Sequence, residues 1–177
     1  GYGENLKRAL AIALNRNADI IVDLHPDGEY LPSALPPALE KIQKGGYEFV
    51  VGHRFTPTDR LLNSGMHSWK VLPILALNYI DRLILRIKIT DFHQGFRVYT
   101  RKLFEKVNFE VNSNNYLFSF ELITQAVLAE INIGEVAVET SYRGEKRGAS
   151  LKNSIKYSLG TFKVLLLYLL AKMGFKT

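Results

Sequence analysis

The sequence predicts an α/β domain in which a mostly parallel sheet is flanked by helices. Two short apolar, β-branched runs, Ala18–Leu24 and Tyr47–Gly52, are separated by an amphipathic stretch of helical length. That is the βαβ pattern, which implies a parallel pair with a right-handed crossover. Each run breaks off into polar or ligand-capable residues, as strands do at the ligand edge of an open α/β sheet. The composition, 47% hydrophobic and 23% charged over 177 residues, suits one domain with a sizeable core.

Taken in order, Gly1-Tyr2-Gly3 leads into a helix over Glu4–Asn15, with Leu6, Ala9, Leu10, Ala13 and Leu14 as its apolar stripe. The strand Ala18–Leu24 then gives way to His25-Pro26-Asp27-Gly28-Glu29-Tyr30. His25, Asp27 and Glu29 alternate, so in an extended segment they lean to one side and suit a divalent cation. The plainer reading is a Pro/Gly turn whose acidic residues face water. Pro32-Ser33 starts a helix with Pro36 and Pro37 in its first turn, where a missing N–H costs little. Leu39 and Ile42 form its buried side, and Gly45-Gly46 stops it.

The second strand ends in Gly52-His53-Arg54-Phe55, which puts Arg54 at the ligand edge. A guanidinium there holds a phosphate with two bonds, or else pairs a surface carboxylate. Thr56–Gly65 reads as a mobile loop. Met66–Ile87 is mostly apolar, a helix pair or one helix kinked at Pro73. Asp81, Arg82, Arg86 and Lys88 argue against a spanning segment, leaving a membrane-interface helix or a core helix over the sheet. Thr90–Tyr99 reads as a loop before a strand, in which Gly95 lets backbone approach a ligand and Arg97 pairs Asp91 or a phosphate.

Arg101–Val107 is a short helix, Asn112–Tyr116 a polar turn, and Phe118–Glu130 a helix with Phe118, Leu122, Ile123, Ala126 and Val127 inward. Ile131–Thr140 alternates as a strand. Tyr142–Lys152 is basic and glycine-hinged. Ile155–Met173 is apolar but short and dotted with Lys, which suits a helix resting on a membrane or a partner rather than spanning.

The chain contains no Cys, which excludes disulfides and thiolate zinc sites and suits a reducing compartment. Its net charge of +6 asks for an anionic partner. Gly1–Asn5 is polar and lacks the apolar core of a secretory signal. Because the basic residues gather in one segment instead of alternating with aromatics along a face, a nucleic-acid binder ranks last.

Four ordered motifs, His25-x-Asp27 with Gly28-Glu29-Tyr30, Val51-Gly52-His53-Arg54, Asp91-x-x-x-Gly95-Phe96-Arg97, and Phe118-x-x-Glu121 followed by the basic segment, resemble those of family 2 glycosyltransferases. Within that family the likeness is to dolichol-phosphate mannosyltransferases and their bacterial relatives. The resemblance covers nearly the whole chain and implies a GT-A-like (Rossmann-like) nucleotide-sugar transferase fold. It implies an inverting, metal-dependent enzyme that moves a sugar from a nucleotide-sugar donor to a polyprenyl (dolichyl or undecaprenyl) phosphate. In that picture Asp27 is the second acid of the metal motif, His25 stands where the first Asp commonly sits, and Glu29 replaces the usual Gln. Oxygen-only ligands suit Mg²⁺, and an imidazole shifts the preference toward Mn²⁺ or a water-mediated contact, so the implied cofactor is a divalent cation, Mn²⁺ or Mg²⁺.

By the same resemblance Asp91 lies on the acceptor side, with Arg97 beside it, and Glu121 supports the site from below. The basic segment is a lid over the donor pyrophosphate, with Arg54, Arg143, Lys146, Arg147 and Ser150 as phosphate contacts and Ser150 also capping the next helix. Residues 1–150 correspond to the C-terminal two-thirds of a catalytic domain, without the family's base-binding strands, and 151–177 to a membrane-associated amphipathic helix. The expected location is the cytoplasmic face of a membrane. The alternatives are an acceptor hydroxyl, for which Asp91 would be a general base, and a membrane-associated domain of the same fold with impaired turnover.

Overall fold

The computed structural model describes residues 1–54, 68–140 and 150–175. In chain order the elements are α1 (Tyr2–Asn15), β1 (Ile20–Asp23), α2 (Leu35–Gly45), β2 (Phe49–His53), α3 (Ser68–Leu85), β3 (Arg97–Thr100), α4 (Arg101–Lys106), α5 (Phe118–Leu128), β4 (Ile133–Ala137) and α6 (Leu151–Lys172). A 3-10 turn, Pro32–Ala34, feeds α2, and Gly46 ends that helix in the left-handed region at φ 68°. The expected mobile loop and most of the basic segment fall outside the described residues.

The four strands lie in the order β1-β3-β2-β4. β3 is antiparallel to both β1 and β2, and β4 is parallel to β2. So β1, β2 and β4 point the same way, as the βαβ pattern implies, and the sheet is not purely parallel, because β3 alone runs against them. The physical reason is the short path into β3. The chain reaches it from α3 through residues 86–96, entering at the carboxyl edge, and inserts between β1 and β2 in the reverse direction. Hydrophobic period carries no information about strand direction. This reversed strand builds the site: the carboxyl ends of β1, β2 and β4 share one edge with the amino end of β3.

Side chains alternate across the sheet. Phe49, Val51 and Tyr99 join Leu10, Leu85, Phe118, Leu122 and Leu165 in the larger core, under α1, α3, α5 and α6. Val50, Val98 and Val136 face the other way and pack with Tyr30, Ala34 and Ala38 beneath α2. A helix layer on each face of the sheet results.

α3 is one helix with Pro73 inside it, the second of the two forms expected. α6 has 22 residues and a mean hydropathy of 1.3 over its most apolar window, so by length and composition it is able to cross a membrane, against the reading that it is too short. Its N-terminal turn, hidden in the basic segment, supplies the extra length. Only 22% of that window is buried, with Leu159, Phe162, Leu166 and Leu169 exposed beside Leu72, Tyr79 and Leu83 of the neighbouring α3.

Candidate active site

The carboxyl edge is centred on a buried ion pair. Arg54, just past β2, grips Asp91 with Nε on Oδ2 at 2.6 Å and Nη2 on Oδ1 at 3.0 Å. The Arg54 N–H adds a contact of 3.4 Å to Oδ2, and the His93 N–H donates to Oδ1 at 3.3 Å. Nη2 also donates to the His93 carbonyl at 3.3 Å, so the fork clasps the loop's backbone as well as its carboxylate. Burial alone would raise the Asp91 carboxyl, but the Arg54 guanidinium overcomes it and holds the group below its ordinary value. Asp91 is therefore an anion at neutral pH.

Of the two partners expected for Arg97, Asp91 or a phosphate, Asp91 is not one among the described residues. As the first residue of β3 it lies opposite Asp23, the last residue of β1, in the strand register. Opposed residues of an antiparallel pair project to the same face, here the face of α1, α5 and α6. Tyr2 from α1 and Tyr99 from β3 both donate to Asp23 Oδ2, at 3.2 and 3.4 Å, and Ser119 from α5 meets the Tyr2 hydroxyl at 3.3 Å. Burial raises the Asp23 carboxyl despite the opposing pull of Arg97. Arg97 itself is 2% exposed, and its Nε has no hydrogen-bond partner in the structure.

A second polar group adjoins the ion pair. His93 places Nε2 2.7 Å from Asp81 Oδ2 on α3 and Nδ1 3.0 Å from the Tyr157 hydroxyl on α6. The neighbouring Phe92 N–H donates to Asn78 Oδ1 at 2.8 Å. Asp23, Tyr2, Asp81 and Tyr157 were not legible as site residues, since nothing local sets them apart: Asp23 ends an apolar strand, Tyr2 lies between two glycines, Asp81 precedes Arg82 and Tyr157 stands between Lys156 and Ser158.

The His25-Asp27-Glu29 segment does not close into a ligand cage. Among the described residues no group of three or more His, Asp or Glu side chains is arranged to hold a metal. His25 instead stands between the Tyr2 and Tyr30 rings, edge-on to both at centroid distances of 5.6 and 5.5 Å, with Nε2 buried and unpartnered. Its ring rests on Gly95, where a Cβ would come within 2.6 Å of Cε1. Asp27 turns back so that Oδ1 accepts the Glu29 N–H at 2.9 Å, and Gly28 takes φ 74° between them. The tight turn breaks the alternation that an extended segment would have kept. Asp27 remains exposed. One exposed carboxylate at a strand end fits a cation shared with a ligand's phosphates, the usual habit of Mg²⁺, rather than an all-protein site.

Glu121 lies in the first turn of α5 and accepts from the Ser113 N–H and hydroxyl, both at 2.6 Å. It thus secures the turn before α5, whereas Ser119 in the same helix reaches the Asp23 group. Ser150 caps α6, accepting the Asn153 N–H at 3.3 Å. Arg143, Lys146 and Arg147 lie outside the described residues.

The chain is 26% identical over 174 residues to the UDP-N-acetylglucosamine–dolichyl-phosphate N-acetylglucosaminyltransferase of Methanococcus voltae, covering 98% of this chain and 66% of that protein. It is also 26% identical over 153 residues to the polyprenol monophosphomannose synthase of Mycolicibacterium smegmatis, covering 85% and 56%. The chain thus spans less than two thirds of the length of either relative. Among solved structures, glucosyl-3-phosphoglycerate synthase from Mycobacterium tuberculosis, in complex with Mn²⁺, uridine diphosphate and glucosyl-3-phosphoglycerate, superposes with a TM-score of 0.65 at 19% identity. That overlap covers 95% of this chain and 55% of the other and establishes a shared GT-A fold. The model of Glycosyl transferase family 2 matches residues 1–107, and the chain belongs to that family.

Proposed function

We propose that this chain forms the acceptor-side part of an inverting glycosyltransferase that moves a sugar from a nucleotide-sugar donor to a polyprenyl phosphate. The observation that carries the acceptor class is the Arg54–Asp91 pair. A general base for a hydroxyl must be free to accept a proton, with a pKa near the working pH. Asp91 is buried, gripped by two guanidinium bonds, and held below the ordinary carboxylate value. It is a poor base and a good fixed anion. An acceptor that arrives already ionised, such as a phosphate monoester, needs no base, and the pair then serves to orient the acceptor loop. The printed names of the Methanococcus and Mycolicibacterium relatives, which act on dolichyl phosphate and make polyprenol monophosphomannose, support the same class.

For the donor, Asp27 is the residue that would share a divalent cation with a pyrophosphate, and Mn²⁺ and Mg²⁺ complexes with uridine diphosphate are recorded for the structural neighbour. When bound, the cation neutralises charge on the leaving nucleoside diphosphate. The basic segment with Arg143, Lys146 and Arg147 is assigned to the same anion.

The lipid part of the acceptor is matched by α3 and α6. Their outer faces expose Leu72, Tyr79, Leu83, Leu159, Phe162 and Leu166. Arg82, Lys156, Lys163 and Lys172 lie among and beside these residues, and Asp81, which is buried, is the sole acidic residue on either helix. An apolar face with basic neighbours suits an anionic membrane surface. The test is transfer of labelled sugar by the protein expressed from its whole reading frame, offered polyprenyl phosphate or the corresponding polyprenol. Product from the phosphate alone supports the reading, whereas product from the alcohol alone would return Asp91 to the role of base.

A further inference from the structure

The two ring nitrogens and the two backbone groups of His93 point in different directions, and together they link parts of the molecule that the proposed reaction uses separately. Its side chain engages the helices. Nε2 meets Asp81 on α3, Nδ1 meets Tyr157 on α6, and the ring packs against Phe120 of α5 at a centroid distance of 5.4 Å. Its main chain engages the ion pair: the N–H donates to Asp91 and the carbonyl accepts from Arg54. The His93 ring is 6% exposed and the Asp81 side chain 0%, so water does not substitute for either partner.

A neutral imidazole has one N–H and one lone pair. Burial pushes the Tyr157 phenol up, which keeps it a donor, so its O–H points at Nδ1. Nε2–H is then left to donate to the Asp81 carboxylate. With a neutral imidazole this tautomer satisfies both ring nitrogens. The other Asp81 oxygen, Oδ1, is buried without a partner, so among the described residues His93 is the one polar contact of that carboxylate.

The outer surfaces of the same two helices carry the exposed apolar face. On α3, Tyr79 and Leu83 flank Asp81 in sequence and point outward while it points in. On α6, Ile155 and Leu159 flank Tyr157 in the same way. A shift of either helix against its surroundings is therefore felt at His93 within one helical turn, and through its backbone at the Asp91–Arg54 pair.

We infer that His93 is a positioning residue that couples the seating of α3 and α6 on the lipid surface to the placement of the acceptor-side pair Asp91–Arg54. The inference rests on the transfer reaction and membrane face proposed above. It implies that lipid contact raises turnover as well as local acceptor concentration.

The experiment uses the protein from its whole reading frame, a short-chain, water-soluble polyprenyl phosphate, and acceptor-free vesicles containing anionic phospholipid. Tyr157→Phe deletes one hydroxyl and leaves the ring. Asp81→Asn keeps an acceptor oxygen for Nε2–H, whereas Asp81→Ala does not. For the unchanged protein, kcat rises when vesicles are added. In Tyr157→Phe and Asp81→Ala the vesicle-stimulated kcat falls about tenfold, the rate equivalent of one hydrogen bond. Donor KM and vesicle co-sedimentation hold, and Asp81→Asn retains most of the stimulated rate. A purely structural role would lower thermal stability in all three variants without touching the vesicle response of the folded fraction, and that result overturns the inference. Failure of the unchanged protein to transfer sugar to any polyprenyl phosphate removes the underlying reading instead, so the two failures are distinguishable.

Discussion

Replacing Arg54 with Met tests the ion pair at the centre of the site. The substitution keeps an unbranched apolar stem and deletes the guanidinium, leaving Asp91, at 0% side-chain exposure, with its backbone contacts alone. Removing one partner of a buried pair costs about 3–5 kcal/mol, a large share of the roughly 5–15 kcal/mol that stabilises a domain. The cost depends on pH in a direction that the structure dictates. In the unchanged protein the Asp91 carboxyl lies below its unfolded value, so its contribution is present above the unfolded pKa and is lost only as pH falls through the folded one. That leaves it constant between about pH 5 and 8.

In Arg54→Met burial is opposed only by the remaining backbone contacts and by His93, and the carboxyl rises above its unfolded value. The contribution of Asp91 is then greatest at low pH and is lost as pH increases. The stability difference between the two proteins should therefore be largest near pH 8 and shrink on acidification, by up to about 1.4 kcal/mol per pH unit. Urea titrations at three pH values followed by circular dichroism measure it, with the exposed Arg8–Glu4 pair as a control whose loss shows no such trend. A small, pH-independent difference for Arg54→Met would refute the claim that Asp91 is a buried anion held by this one guanidinium.

Four further outcomes follow. Asp27→Ala should abolish Mn²⁺-dependent donor binding in calorimetry while leaving the melting temperature unchanged, because the side chain is exposed and its one bond is local; unaltered affinity would remove Asp27 from the cation site. Gly95→Ala should destabilise by about 1–3 kcal/mol through overpacking, since the new methyl group collides with the His25 and Tyr30 rings. His25→Asp should destabilise too, by burying a carboxylate between two tyrosines, and denaturant melts of both variants check this. Leu159→Glu with Phe162→Glu should abolish co-sedimentation with anionic vesicles at unchanged circular dichroism, and persistent binding would relocate the membrane face.

The elements of this fold were legible because each announces itself locally. The stripe of α1, the Gly45-Gly46 stop of α2 and the apolar runs of β1 and β2 need only neighbours in sequence. Strand direction at β3 was not, because a four-residue strand reads alike in both senses and its direction depends on where the chain enters. At the site, Arg54 and Asp91 stood out as polar residues next to strand ends, but their partnership did not. The local pattern offered Arg97 either Asp91 or a phosphate, while the register of β1 and β3 placed Arg97 opposite Asp23. His25 was legible as a potential ligand and is in fact ring-packed, since its burial depends on Tyr2, far away in sequence, and on Gly95. His93, Asp81 and Tyr157 belong to three separate segments, and only their meeting in space makes them a group.

The central claim is that an ionised phosphate oxygen attacks the sugar with inversion while Asp91 stays an anion. It is tested most directly by phosphorus and proton magnetic resonance of the product formed from an α-linked nucleotide sugar and polyprenyl phosphate. The expected product is a sugar phosphodiester with a β-anomeric proton, the acceptor's phosphate monoester signal disappearing in step. An α-linked product, or sugar transferred to a hydroxyl with the monoester untouched, would contradict it.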